Sequence, residues 1–260
     1  MSEEVVDADE VFPVRIGRCV YCDGADDLSD EHVLPYGLGG EWLLLSASCK
    51  ECRDITSHLE LVVQRQHFLA VRTVAELPTR RKRERPHVLR QKLETPQGPV
   101  ELSLPLDQHP APLVPPVFPP PLGEAAAGAG LSPSYRSLRV AGRKGRLENI
   151  ARATGAQKWT FPCAEPPLFA RFLAKVAYCF AVGSYGIDGF AEHFVRQHVR
   201  ADLPGLAAWV GCAEEDVAFT PNGGHHLSTV VERGIVRVEV QLFAIPGAPT
   251  YIVLVGRVRS

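Results

Sequence analysis

The sequence predicts an α+β protein in two parts: a small cysteine-rich module near the N-terminus and, after a Pro-rich linker, a C-terminal α+β domain. Three observations carry this reading. Two Cys-x-x-Cys pairs, Cys19–Cys22 and Cys49–Cys52, lie close together near the start. Residues 105–133 are dominated by Pro, Ala and Gly, with runs such as PPVFPPP and GEAAAGAG. Beyond them, helical and strand-like apolar patterns both return. The expected division is 1–14 as a disordered acidic tail, 15–104 as the module with a following helix and hairpin, 105–133 as linker and 134–260 as the C-terminal domain.

The elements follow from local patterns. Ile55, Leu59, Val62, Val63, Leu69, Ala70, Val74 and Leu77 recur at helical spacing from Asp54 to a stop at Pro78. His87 to Glu94 and Pro99 to Leu104 read as a hairpin turning at Pro96, Gln97 and Gly98. After the linker come a strand near Ser137–Val140 and a short helix at Arg146–Thr154. Pro166 and Pro167 open a helix with Phe169, Phe172, Leu173, Val176, Ala177 and Phe180 on one face. Further helices are expected at Phe190–Val199 and Leu206–Val210, then strands at Leu227–Glu232, Ile235–Phe243 and Tyr251–Val258.

With 260 residues, 45% hydrophobic and 22% charged, the composition is that of a globular protein. Apolar runs such as Val176–Val182 are too short to span a bilayer, and the acidic start lacks the features of a signal peptide, so no membrane partner and a cytoplasmic location are expected. A net charge of −2 argues against a protein that coats nucleic acid. It leaves room for a local basic patch, and two cationic runs exist: Arg80, Arg81, Lys82, Arg83 and Arg85, then Arg136, Arg139, Arg143, Lys144 and Arg146.

Seven cysteines in such a chain should be free or metal-bound rather than disulfide-paired. A Cys-x-x-Cys turn places two thiolates on one side of a tight loop, half of a tetrahedral shell. Two such loops, separated by 26 residues, complete the closed four-thiolate set of structural Zn2+. A redox or packing role for the four thiols is the alternative. Cys163, Cys179 and Cys212 have no partners at ligand spacing, and Cys179 reads as buried.

Between the pairs run Asp30-Glu31-His32-Val33-Leu34-Pro35 and then Gly37-Leu38-Gly39-Gly40. This order of Cys-x-x-Cys, acid-His, Pro, Gly-Gly and Cys-x-x-Cys entering a helix resembles the zinc-containing HNH endonucleases over about residues 15–77. The resemblance implies a ββα-metal module, a β-hairpin plus a helix. It further implies hydrolysis of phosphodiester bonds in DNA, with Mg2+ or Mn2+ as catalytic ion. His32 maps onto the general base and Glu31 onto a ligand of that ion; ordering the loop or binding zinc are the other roles open to His32.

The chain departs from the pattern after Cys52. Arg53 stands where a metal-binding Asn or His is common, and no middle Asn is evident between Gly40 and Cys49. Asp54 and His58, four apart on the expected helix, are the substitute ligands; Asp54 fits a helix N-cap equally well, and His58 a solvent-facing position. Arg53, Arg80, Arg81, Lys82 and Arg83 are the candidates for contacting phosphates, with a solvated charge run as the alternative. Arg171 and Lys175 lie four apart on the Pro166 helix, in an Arg-x-x-x-Lys-x-Ala form that recurs in proteins resembling HNH enzymes; an ordinary amphipathic helix is the plainer reading. His225 and His226 alternate across a strand, so at most one could bind metal. The competing functions are a catalytically degenerate HNH-fold module that binds nucleic acid without cutting it, and a zinc-stabilised interaction subunit with a protein partner or a second copy.

Overall fold

The computed structural model describes residues 11–123, 130–138, 146–214 and 224–259. The fold is mixed α+β. It begins with β1 (Val14–Arg15), β2 (Ser29–His32), β3 (Leu43–Ser48), α1 (Lys50–Gln66) and α2 (Leu69–Val74). β3 lies between β1, which it pairs in parallel, and β2, which it pairs antiparallel with His32 opposite Leu43. β4 (Val88–Thr95) and β5 (Gly98–Pro105) form the expected hairpin, extended by β8 (Lys158–Thr160).

The long helix α4 (Pro166–Tyr185) is the centre of the molecule. Every residue from Phe169 to Gly183 except Arg171 is buried, because α1 packs on it from one side and the C-terminal sheet from the other. The expected one-sided amphipathic helix is therefore apolar all round, as a core helix must be. It is also long and apolar enough to cross a membrane, but 78% of its most apolar window is buried inside the fold. The sheet is antiparallel, in the order β10 (Val210–Cys212), β13 (Tyr251–Val258), β12 (Ile235–Gln241), β11 (His226–Glu232). β9 (Phe190–His193) shares the outer edge of β13 with β10. Phe190 thus starts a strand where a helix was expected, and only α5 (Arg196–Arg200) is helical there. Leu206–Ala208 forms a single 3-10 turn, and α3 (Arg146–Thr154) forms as expected.

The expected linker is corrected most. Its described residues from His109 to Pro116 are buried apart from half-buried Val114, and Leu113 and Phe118 belong to the main core. The segment runs as an extended strap: β6 (Pro116–Val117) pairs with β7 (Ser134–Tyr135), Leu113 bridges Leu138, and the Tyr251 hydroxyl donates to the Pro116 carbonyl at 2.9 Å. Extended proline backbone has free carbonyls and apolar rings, so it can line a core without joining a sheet by its own donors. Residues 124–129 and 139–145 lie outside the described residues, and with them much of the second cationic run. Of the expected acidic tail, residues 1–10 also lie outside; Phe12, however, stacks on Trp42 and Phe180. One contiguous core takes in residues of both the cysteine-rich module and the C-terminal half.

The helix expected from Asp54 to Leu77 begins earlier, at Lys50, and breaks after Gln66. At the break His67 and Phe68 both turn into an aromatic cluster with Phe169. Neither ring nitrogen of His67 has a hydrogen-bond partner among the described residues, and burial pushes its pKa down to about 4. Between an unfolded value of about 6.5 and this folded value, the unfolded chain binds more protons, so stability is full above that range and falls as pH drops through it. Wild-type protein is expected to lose about 2 kcal/mol more than His67→Leu between about pH 7 and pH 5 in urea denaturation. Equal losses in the two proteins would refute this account of His67.

Candidate functional site

The four paired cysteines converge. Their sulfur atoms all lie within 4.8 Å of one another, with Cys22 Sγ to Cys49 Sγ at 3.6 Å. A disulfide would bring two sulfurs to about 2.05 Å, whereas a tetrahedron with Zn–S bonds of about 2.3 Å has edges of about 3.8 Å. The cluster is therefore compatible with a zinc site, in donor type and in spacing. Cys49 caps the start of α1 and Cys52 lies in its first turn, so the helix itself presents one pair. Burial raises the thiol pKa of Cys19; at Cys49 the same burial is outweighed by the main-chain N–H of Cys52 and the neighbouring thiols, and its pKa falls.

The Gly-rich segment has a steric reason. Gly39 sits at φ 90°, in the left-handed region, and a Cβ on Gly40 would run into the carbonyl oxygen of Leu34. The loop is then tied to the C-terminal half by His225. Its Nε2 donates to the Leu38 carbonyl at 2.8 Å, and its Nδ1 accepts from Phe243 N at 3.3 Å. Both ring nitrogens are used in one neutral tautomer, and burial lowers the pKa to about 4. His225 is a tether rather than the metal ligand considered from sequence; residues 222 and 223, just before it, lie outside the described residues.

Beside this loop lies a cavity of about 560 Å3. Asp30, Glu31, His32 and Tyr36 form one wall. Arg53, Ser57, Glu60, Leu61 and Gln64, a single stripe of α1, form another, and Arg65, Arg72, Arg80, Arg81 and Arg85 surround the rest. Arg81 pairs with Glu84 at 3.1 Å, and Arg53 approaches Asp27 at 3.7 Å. Arg72 and Arg85 donate to main-chain carbonyls, which leaves their charge uncompensated, and Arg65 and Arg80 have no carboxylate partner among the described residues. Burial, and then the nearby Arg85 and Arg65, lower the pKa of Arg72.

His32 is half-buried, with its ring edge-on to Tyr36 at a centroid distance of 6.2 Å. Its ring nitrogens make no hydrogen bond among the described residues. Burial, and then the Lys175 ammonium, push its pKa below the ordinary imidazole value, so the ring is neutral and able to accept a proton near neutral pH.

Glu31, expected to hold a divalent ion, is buried and paired with Lys175 Nζ at 2.9 Å. Lys175 also pairs with Glu60 at 2.6 Å and donates to the His32 and Val33 carbonyls. Asp54 and His58 do not line the cavity. Both are exposed on another face of α1, and Asp54 pairs with Lys50 at 2.6 Å. Because the helix starts at Lys50, Asp54 is an interior residue and not the N-cap. The residues around His32 therefore do not fit the Mg2+ or Mn2+ site that the resemblance implies: the best-placed carboxylate holds an ammonium, and the two substitute ligands face elsewhere.

Of the expected phosphate contacts, Arg53, Arg80 and Arg81 line the cavity, while Lys82 and Arg83 are exposed outside it. Sequence reasoning missed Glu60, Arg65 and Arg72, and placed Arg85 in the first cationic run without naming it as a phosphate contact. The first two lie on α1 seven and twelve residues after Arg53, a spacing legible only once the helix start and the cavity-facing stripe are known. Arg171 donates to the His198 and Val199 carbonyls at 3.1 Å and so fastens the end of α5. Cys179 is buried beside the Tyr21 hydroxyl at 3.1 Å, Cys212 is buried on β10, and Cys163 is half-buried. No protein-family model, curated protein or solved structure matches this chain.

Proposed function

We propose that this chain is a nucleic-acid-cutting protein of the HNH kind: Zn2+ on Cys19, Cys22, Cys49 and Cys52 staples a ββα-metal module, and His32 acts as general base in hydrolysing DNA phosphodiesters. The observation that carries the reading is the cavity itself, where a neutral, half-buried imidazole shares the lining with Arg65, Arg72, Arg80 and Arg85, which have no carboxylate partner among the described residues. Those guanidiniums suit a phosphate backbone, and a developing negative charge on phosphorus is what they would stabilise. His32 supplies a base for the attacking water.

A second reading, binding without cutting, is favoured by one observation: Glu31 is committed to Lys175 and no carboxylate–histidine set is free beside His32 to hold a divalent ion among the described residues. Incubating the zinc-loaded chain with supercoiled plasmid, linear duplex, single-stranded DNA and RNA, with and without Mg2+ or Mn2+, separates the two. Cutting supports the enzyme. Binding without cutting under every condition supports the degenerate module, and no affinity even at low salt removes both in favour of an interaction subunit. If the arginines contact phosphates, Arg80→Ala should weaken binding and flatten the slope of log K against log salt by about 0.9 for duplex DNA. An unchanged slope counts against phosphate contact by Arg80.

A further inference from the structure

The Lys175 side chain is fully buried, an uncommon place for an ammonium, and it is fully engaged. It reaches from α4 to Glu31 on β2, to Glu60 on α1 and to the main-chain oxygens of His32 and Val33. Two carboxylates and two carbonyl oxygens around one cation are the donors a hard divalent ion would take. Glu60 lines the cavity and is 17% exposed, so this cluster forms the floor beneath His32 rather than a distant structural pair.

We propose that the Lys175 ammonium is the fixed cation of this site, occupying the carboxylate pair in place of a divalent ion and positioning His32 through its main chain. The function of the cavity then needs no divalent ion at Glu31, and α4 of the C-terminal half completes a site that the cysteine-rich module cannot form alone. The inference rests on the cavity's being the functional site, but its test does not require catalysis. Burial by itself would drive the lysine toward its neutral form; Glu31 and Glu60 outweigh that effect and hold its pKa above the ordinary lysine value. Glu60 shows the complementary cost: burial, with Glu31 close by, raises its pKa against the pull of Lys175.

The experiment is Mn2+ titration of the zinc-loaded full chain, following free Mn2+ by electron paramagnetic resonance and the broadening of His32 resonances by NMR. Wild-type protein is expected to show no broadening of His32 at Mn2+ concentrations that saturate ordinary two-carboxylate sites. Lys175→Met exposes both carboxylates to the ion, and should gain one Mn2+ near His32, at least tenfold tighter than any wild-type binding. Adding Glu31→Gln to that variant should abolish the gain. Wild-type Mn2+ binding near His32 that Glu31→Gln removes would overturn the proposal, as would a folded Lys175→Met that gains no ion. Should Lys175→Met fail to fold, the neutral triple variant Lys175→Met, Glu31→Gln, Glu60→Gln is expected to fold again, because no unpaired charge is left buried; its failure would also count against the proposal. If Mn2+ behaves as expected and nothing is cut, the hydrolytic reading falls and this one stands.

Discussion

Zinc removal is expected to unfold both halves of the chain together. Four thiolates packed within 4.8 Å of one another have no other partner of opposite charge among the described residues, so their cohesion depends on the ion. Structural Zn2+ contributes on the order of 10 kcal/mol to such modules, comparable to the whole stability of a domain. The loss should spread because the zinc hairpin is not a free appendage. The Tyr178 hydroxyl of α4 donates to the Val20 carbonyl at 2.9 Å, Tyr21 packs against Tyr178, and Lys175 holds β2. A chelator titration followed by hydrogen exchange should therefore release β2–β3 and β12–β13 at the same chelator concentration. Cys49→Ser should contain little zinc and melt well below wild type. A metal-free chain as stable as the loaded one refutes the zinc assignment; a first transition confined to the hairpin refutes the shared core.

Replacing His32 with Ala is expected to reduce cutting by about 10²- to 10⁴-fold, the contribution of a general base, with zinc content and nucleic-acid affinity unchanged. The separation is feasible because the imidazole ring makes no hydrogen bond among the described residues, while the main chain of His32 is what Lys175 holds. A base works only when neutral. Since burial and Lys175 lower the His32 pKa, activity should stay level through neutrality and decline only as pH falls through a value below that of a free imidazole. Undiminished cutting by His32→Ala would sink the mechanism. Glu31→Ala should behave as a stability variant, since it leaves a buried ammonium half-paired, rather than as one rescued by extra divalent ion.

Features written in short stretches of chain were determined by the sequence alone. The cysteine spacing announced the four-sulfur cluster, the Pro96-Gln97-Gly98 turn announced the β4–β5 hairpin, Pro166 and Pro167 marked the start of α4, and helix α3 and strand β13 fell where they were expected. The hairpin and the helix start depend on residues within about a dozen positions, the range over which periodicity and turn chemistry act, while the cluster was legible because each Cys-x-x-Cys pair is itself a local signal. Only the tertiary structure decided the rest. Pro105 to Pro133 read as an extended linker with no core of its own because its composition carries no periodicity, yet Leu113 and Phe118 join the core and the Pro116 carbonyl accepts from Tyr251, more than a hundred positions later. Asp54 and His58 were one helical turn apart as expected, but which face of α1 meets the cavity depends on how the helix is rotated against α4, and that rotation turned them to solvent and brought Arg53 and Glu60 inward. Glu31 and Lys175 are 144 residues apart. Their pairing follows from no local propensity: a carboxylate drawn into the core by its strand must meet a cation there, and α4 is the element that carries one through it.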